Sequence, residues 1–356
     1  MRRIETLREG FTTGAAAAAA AVAARRGTPG PVELRLPDGR TLSIPVAEAR
    51  PGFAAVVKDG GDDPDATNGC RIEVRLALPA PAPTPADWVE PCGSGSLLLR
   101  GGRGVGQATR PGVAIPPGRA AVNPVPRRMI AENLRRCGFG GVSGETMLVE
   151  ITVPEGEAIA RKTLNPILGI VGGISILGTS GIVHPYSHAA YEATVQIQLA
   201  SLAANGFTRA ALVTGSRTAA AVAAEEPELG EAGIIRIGDF IRSAIEAGRK
   251  EKLETLLVGC MPGKLFKYAC GEANTHAHRG KLDPARLREF GLAPDGIPLE
   301  SINTMAELSD RIGPANYREL LGRLHPIALR NLQNWAGPVR IDLRLYDENA
   351  RRWYDK

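Results

Sequence analysis

Three kinds of residue in this chain have chemistry to offer: clustered carboxylates, glycines beside hydroxyls, and arginines beside prolines. Asp59, Asp62, Asp63 and Asp65 crowd into one loop, KDGGDDPDATNG (58–69). Their spacing lacks the central glycine and terminal glutamate of an EF-hand, which argues against calcium. A solvated turn is the plain reading, and a polar contact to substrate or cofactor is the alternative. Gly178-Thr179-Ser180-Gly181, Thr214-Gly215-Ser216, Gly238-Asp239 and Gly259-Cys260 each follow an apolar run. Glycine there supplies positive φ and lets a ligand approach the backbone, and the hydroxyls give and accept hydrogen bonds. Ligands of open α/β sheets sit at the carboxyl ends of strands, so Gly178, Thr179, Gly181, Thr214, Gly215, Gly238 and Asp239 are candidate cofactor-binding residues.

The arginines point to an acidic ligand. Gly101-Gly102-Arg103-Gly104-Val105-Gly106 imitates a dinucleotide fingerprint, but the spacing fails and Pro111 and Pro116 block the helix that should follow. It reads better as an anion-binding loop with Arg103 and Arg110. Arg127 and Arg128 open a helix, where cations oppose the macrodipole; an acidic ligand would justify them, and a plain surface role is the alternative. His184 and His188 are separated by Pro185 and have no acidic third partner, so a metal site is not expected. His276 and His278 flank Ala277 and point apart in regular structure. No GxSxG, HExxH or Walker motif occurs.

These residues need elements to hold them. Residues 1–160 read as an α+β domain. An alanine helix over 15–25, capped by Thr12 or Thr13, precedes a hairpin of 32–36 and 41–46 and strands over 53–58 and 71–78. The prolines of PAPAPTPADWVEP (79–91) predict an exposed loop. A helix with Pro126 near its first turn and a strand over 147–153 close this part. Residues 161–283 read as an α/β domain with a parallel four-stranded sheet. Its strands are expected at 169–177, 210–214, 234–237 and 255–258, each followed by a helix. Residues 284–356 supply helices and a strand at 339–346 that pack back on the core.

Composition narrows the classes. A hydrophobic fraction of 44% with 23% charge is that of a globular protein. Only 4% of residues are aromatic, too few for stacking along single-stranded nucleic acid. The net charge of +5 without a basic run favours small acidic molecules as partners over nucleic acid. No apolar run reaches the ~18 residues of a membrane span. Five cysteines without a CxxC pair suit reduced thiols and a cytoplasmic location. Glu5 and Glu9 argue against reading the N-terminus as a signal peptide. Homo-oligomerisation is compatible with the sequence.

Several stretches taken together resemble one family. GFTTG (10–14), KDGGDDPDATNG (58–69), GVGQATRPG (104–112), NPVPRRMI (123–130), GIVGGISILGTSGIV (169–183), TGS (214–216) and GDF (238–240) occur in the order of the CbiD family, the cobalt-precorrin-5B C(1)-methyltransferases of anaerobic cobalamin synthesis. The resemblance implies S-adenosyl-L-methionine as methyl donor and a cobalt-corrin precursor as acceptor. It marks Thr12, Thr13, Asp59, Asp62 and Asp63 as catalytic candidates, and Arg103, Arg110, Asn123, Arg127 and Arg128 as candidates for the acidic arms of the substrate. Methyl transfer from a sulfonium needs placement and water exclusion more than a strong base, which suits a chain without a triad. Ala16, Asn68, Ser180 and Cys260-Met261-Pro262 depart from the family pattern, and Asn68 and the 260–262 loop favour an alternative, a non-catalytic protein that binds and hands over corrinoid intermediates. A nucleotide-dependent α/β enzyme is the third reading, opposed by the missing phosphate-loop lysine.

Overall fold

The computed structural model describes residues 7–275 and 283–353, so His276 and His278 lie outside it. The chain divides into two compact units, Met1–Ser187 and His188–Lys356. The division falls later than residue 160 because short strands between Ile170 and Val183 pair with strands of the first unit.

In the N-terminal unit, β1 (Gly10–Phe11) leads into α1 (Thr13–Arg26). The helix is buried from Thr13 to Ala24, which only small side chains allow without forcing its neighbours apart. Thr12 caps it by accepting from the Ala15 N–H, and Gly27 ends it in the left-handed conformation with φ 71°. The hairpin β2 (Val32–Arg35) and β3 (Thr41–Ile44) forms as the sequence predicts. Next come β4 (Glu48–Arg50), β5 (Phe53–Val57), β6 (Arg71–Ala77), β7 (Trp88–Cys92) and β8 (Gly95–Gly101). After β9 (Gly104–Val105) and β10 (Gln107–Ala108) come α2 (Pro124–Arg136), β11 (Thr146–Thr152) and α3 (Gly156–Ala160).

One six-stranded sheet runs in the order β4-β5-β6-β11-β8-β7, and α1 lies against β5 and β6. The loop expected over 79–91 is therefore only partly a loop: Trp88–Cys92 is a strand. It lies at the sheet edge, where Pro91 is tolerated because no further strand needs its missing N–H. The helix containing Arg127 and Arg128 starts at Pro124, since proline fits a first turn whose N–H groups have no intrahelical partner. The two arginines are its fourth and fifth residues and do not open it.

The strand expected over 169–177 is corrected most. It is broken into β12 (Ile170–Val171), antiparallel to β10, and β13 (Gly173–Ile174), parallel to β9. Gly172 between them takes φ 81° and turns the chain. A further short strand, β14 (Ile182–Val183), pairs with β1.

The C-terminal unit contains α4 (His188–Ala204), β15 (Arg209–Val213), α5 (Ser216–Glu225), β16 (Ile234–Arg236) and α6 (Ile241–Lys250). It continues with β17 (Thr255–Cys260), α7 (Pro262–Ala269), α8 (Met305–Ile312), α9 (Pro314–Ala336) and β18 (Arg340–Leu345). The four strands form an all-parallel sheet in the order β16-β15-β17-β18. The expected four-stranded parallel sheet is present, but its fourth strand comes from the tail and not from 169–177. Alternate residues of β15 face opposite sides: Ala211 and Val213 pack with Val222 of α5, while Ala210 and Leu212 join the larger core of α4, α6, α7 and α9. Among the described residues no helix is long and apolar enough to cross a membrane.

Candidate functional site

In the N-terminal unit the family-like motifs meet. The Phe11 N–H donates to the Asp59 carbonyl at 2.8 Å, and the Thr12 N–H donates to the Gly181 carbonyl at 2.9 Å. Thr13 Oγ1 donates to the Ser175 carbonyl at 3.1 Å and accepts from the Leu177 N–H at 2.9 Å. Gly178, at φ 132°, lies so near Thr12 that a Cβ would overlap the threonine side chain. Thr179 is exposed.

The acidic loop is tied to the same place. Arg8 binds the Asp59 carboxylate through both terminal nitrogens, and Asp59 also accepts from the Gly61 N–H at 2.9 Å. The Arg8 hydrogen bonds come first among the causes that hold the Asp59 carboxyl below its usual range. Asp62 accepts from the Arg8 N–H and Asp63 from the Tyr186 N–H, both at 2.9 Å. Asp65 pairs with the buried Lys58 ammonium at 2.6 Å; burial pushes this carboxyl up, but Lys58 and Thr67 outweigh it and the net shift is downward. Asn68, a departure from the family pattern, accepts from the Gly60 N–H at 2.8 Å. The structure thus brings Thr12, Thr13, Asp59, Asp62, Asp63, Gly178 and Gly181 into one cluster whose polar groups largely satisfy each other. Replacing Thr13 by Val should cost about 0.5–1.5 kcal/mol, because the part-buried Leu177 N–H loses its partner. Urea denaturation measures this, and an unchanged midpoint would show that the Thr13 bonds do not hold the turn.

The expected arginines are dispersed. Arg103 and Arg128 are exposed. Arg110 donates to the Ile167 carbonyl at 2.8 Å. Arg127 stacks over the Trp88 ring at 3.8 Å and pairs with Glu90 at 3.2 Å; burial lowers its guanidinium pKa. Asn123 precedes α2 as its N-cap without a side-chain capping bond.

The C-terminal unit holds a cleft of about 590 Å³ at the carboxyl ends of β15 and β17. The connection from β15 leads outward to β16, and the next one returns past β15 to β17. A crevice opens where the connections diverge, the usual ligand position in such sheets. Thr214 to Thr218 form one wall, Asp239 and Thr275 another, and Lys264 on the first turn of α7 a third. Three sequence candidates, Thr214, Gly215 and Asp239, line it; Gly238 takes φ 54° beside the Tyr191 ring. Gly178, Thr179 and Gly181 belong to the N-terminal unit, because 169–177 is no strand of this sheet.

The cleft is organised by charge. Lys264 Nζ donates to the Asp239 carboxylate and to Thr275 Oγ1, the latter at 2.6 Å. Thr275 Oγ1 in turn donates to Asp239 at 3.0 Å. Lys267 donates to the Thr275 carbonyl at 2.8 Å and lies 3.9 Å from Glu272. Sequence reasoning flagged the Thr214-Gly215-Ser216 turn without choosing Ser216, and missed Arg217, Lys264, Lys267 and Thr275. The same strand-end rule that found Gly215 also covers Lys264, four residues past β17. Thr275 has no comparable local signal. Among the described residues no group of three or more His, Cys, Asp or Glu is placed to hold a metal ion.

Comparison with known proteins completes the description. The family model for CbiD matches residues 1–185. A cobalt-precorrin-5B C(1)-methyltransferase of Nitratidesulfovibrio vulgaris is 40% identical over 370 residues, covering 97% of this chain and 91% of the relative. One from Dechloromonas aromatica is 38% identical over 367 residues, covering 97% and 90%. The crystal structure of a cobalamin biosynthesis protein (cbiD) from Archaeoglobus fulgidus is similar at 30% identity and a TM-score of 0.40, covering 80% of this chain and 85% of that one. Identity at this level along nearly the whole length, with the ordered motifs from GFTTG to GDF, leaves one conclusion: the chain belongs to the CbiD family.

Proposed function

We propose that this protein transfers a methyl group from S-adenosyl-L-methionine to C(1) of cobalt-precorrin-5B in anaerobic cobalamin biosynthesis. The observation that carries this reading is the 40% identity, over 97% of the chain, to a relative of that activity. Bound S-adenosylmethionine would supply an electrophilic methyl group on a sulfonium.

The C-terminal cleft suits that donor in size and in the chemistry of its walls. Its volume falls within the roughly 300–1,000 Å³ of small-ligand sites. Ser216 and Thr275 offer hydroxyls, Asp239 a carboxylate for sugar hydroxyls, and Gly215 a bare stretch of backbone that lets the ligand lie close. Lys264 balances the charge of Asp239 and fixes its orientation. In the N-terminal unit Thr12, Thr13, Asp59, Asp62 and Asp63 act by position, holding the 175–181 turn against the acidic loop. Arg103 and Arg128, exposed and cationic, are the groups that meet acetate and propionate arms. Arg110, Arg127 and Asn123 support them from positions fixed by their own contacts.

Titration with S-adenosylhomocysteine by calorimetry and thermal shift tests the donor assignment. Binding should raise stability by about 2.7 kcal/mol at one hundred times the dissociation constant. No heat and no concentration-dependent rise in Tm would remove the donor from this protein.

A further inference from the structure

We infer that Arg217 grips a free carboxylate on the ligand of the C-terminal cleft, so that this site selects an amino-acid-bearing nucleoside over the bare nucleoside. The inference rests on the donor lying in that cleft and adds which end of it is recognised, and by what.

The cations lining the cleft differ in what they have left to offer. Lys264 has three N–H groups, and the Asp239 carboxylate, Thr275 Oγ1 and the Thr275 carbonyl take them. Lys267 is turned towards the Thr275 carbonyl and Glu272. Arg217 is different: among the described residues it forms no ion pair, and it donates from Nη1 to the Glu348 carbonyl at 3.3 Å. A guanidinium carries five N–H donors in a rigid fork that matches a carboxylate through two parallel bonds. Arg217 lies on the cleft wall beside Ser216, and its side chain is exposed, so its charge is available to an incoming anion. The negative charge nearest to it in the lining, Asp239, is already balanced by Lys264. A ligand with a carboxylate gains this contact, and one without it gains nothing from Arg217.

The test compares S-adenosylhomocysteine with 5′-methylthioadenosine, a nucleoside thioether without the amino acid. Calorimetry is run on the parent protein and on Arg217→Met and Arg217→Lys. The parent should bind S-adenosylhomocysteine at least tenfold more tightly than methylthioadenosine. Arg217→Met should lose at least tenfold for the first ligand and nothing for the second, with Tm kept, and Arg217→Lys should recover part of the loss. If Arg217→Met binds S-adenosylhomocysteine like the parent, or the parent does not distinguish the two ligands, Arg217 is not a carboxylate clamp. If neither ligand binds the parent at all, the donor placement fails and the clamp fails with it.

Discussion

Replacing Gly215 by Thr should weaken S-adenosylhomocysteine binding roughly 10- to 100-fold in a protein that still melts where the parent does. The two halves of this expectation have separate causes. Gly215 has φ −169° and ψ −177°, extended backbone that any residue adopts. A Cβ built on it meets no atom within 4 Å, so the folded chain has room for the new side chain. It is the N-cap of α5, and threonine ranks with glycine there, so the helix start is preserved. The ligand has no such tolerance, because Gly215 lines the cleft. Extra methyl-sized groups in a filled site cost about 1–3 kcal/mol, which gives the stated loss at 1.4 kcal/mol per factor of ten. Unchanged affinity would place the donor outside this cleft. A lower Tm with affinity retained would make Gly215 a structural residue.

Arg344→Met should produce the largest loss of stability, about 3–5 kcal/mol, from breaking a buried charge network by removing its central cation. Arg344 is 5% exposed. Its guanidinium binds Glu225 at 2.9 Å, Asp342 at 2.8 Å, and Glu226. Without it three carboxylates face one another near the end of β18, with Arg209 left to pair Glu226 and Arg352 3.9 Å from Glu225. The pH dependence identifies the mechanism. Burial pushes the Glu226 carboxyl up, but the bonds to Arg344 and Arg209 outweigh it and hold it at about 2, against an ordinary 4.5. A carboxyl depressed in the folded state stabilises above its unfolded pKa, and that contribution disappears as pH falls through the folded value. The parent should therefore lose stability from about pH 4.5 towards pH 2, and Arg344→Met should lose the part of this slope that Glu226 contributes while keeping the part from Asp59 and Asp65. Urea denaturation across that range checks it; equal slopes in both proteins would show that Arg344 does not govern Glu226.

Local signals were legible in the sequence, and non-local pairings were not. Thr12 and the alanine run announce α1, because capping and propensity act within a few residues. Alternation of apolar runs with helices announces β15 to α7 for the same reason. The run Ile170–Leu177 has the composition of a buried strand, but Gly172 turns the chain and splits it. The strand that completes the parallel sheet, Arg340–Leu345, lies 80 residues beyond β17, and nothing local to either reveals their pairing. Trp88–Cys92 was hidden by its prolines, which forbid a central strand but not an edge one.

The site follows the same division. Glycine at a strand end pointed to Thr214, Gly215 and Asp239, since the topology of open sheets puts ligands there. Arg127 offered a free cation to a sequence reader, yet Glu90, 37 residues away, and Trp88 hold it. Lys264 resembles any surface lysine of an amphipathic helix until Asp239 and Thr275 are seen around it. Asn68 reads as a departure from a family pattern and proves to hold the Gly60 N–H.

The most direct measurement of the central claim is a single-turnover incubation of the protein with cobalt-precorrin-5B and S-adenosylmethionine labelled in its methyl group, followed by NMR of the extracted corrinoid. The expected result is label attached at C(1), with S-adenosylhomocysteine formed in equal amount. Corrinoid that binds to the protein and is recovered without label, while the donor remains unconsumed, would contradict methyl transfer and identify a binding and hand-over protein instead.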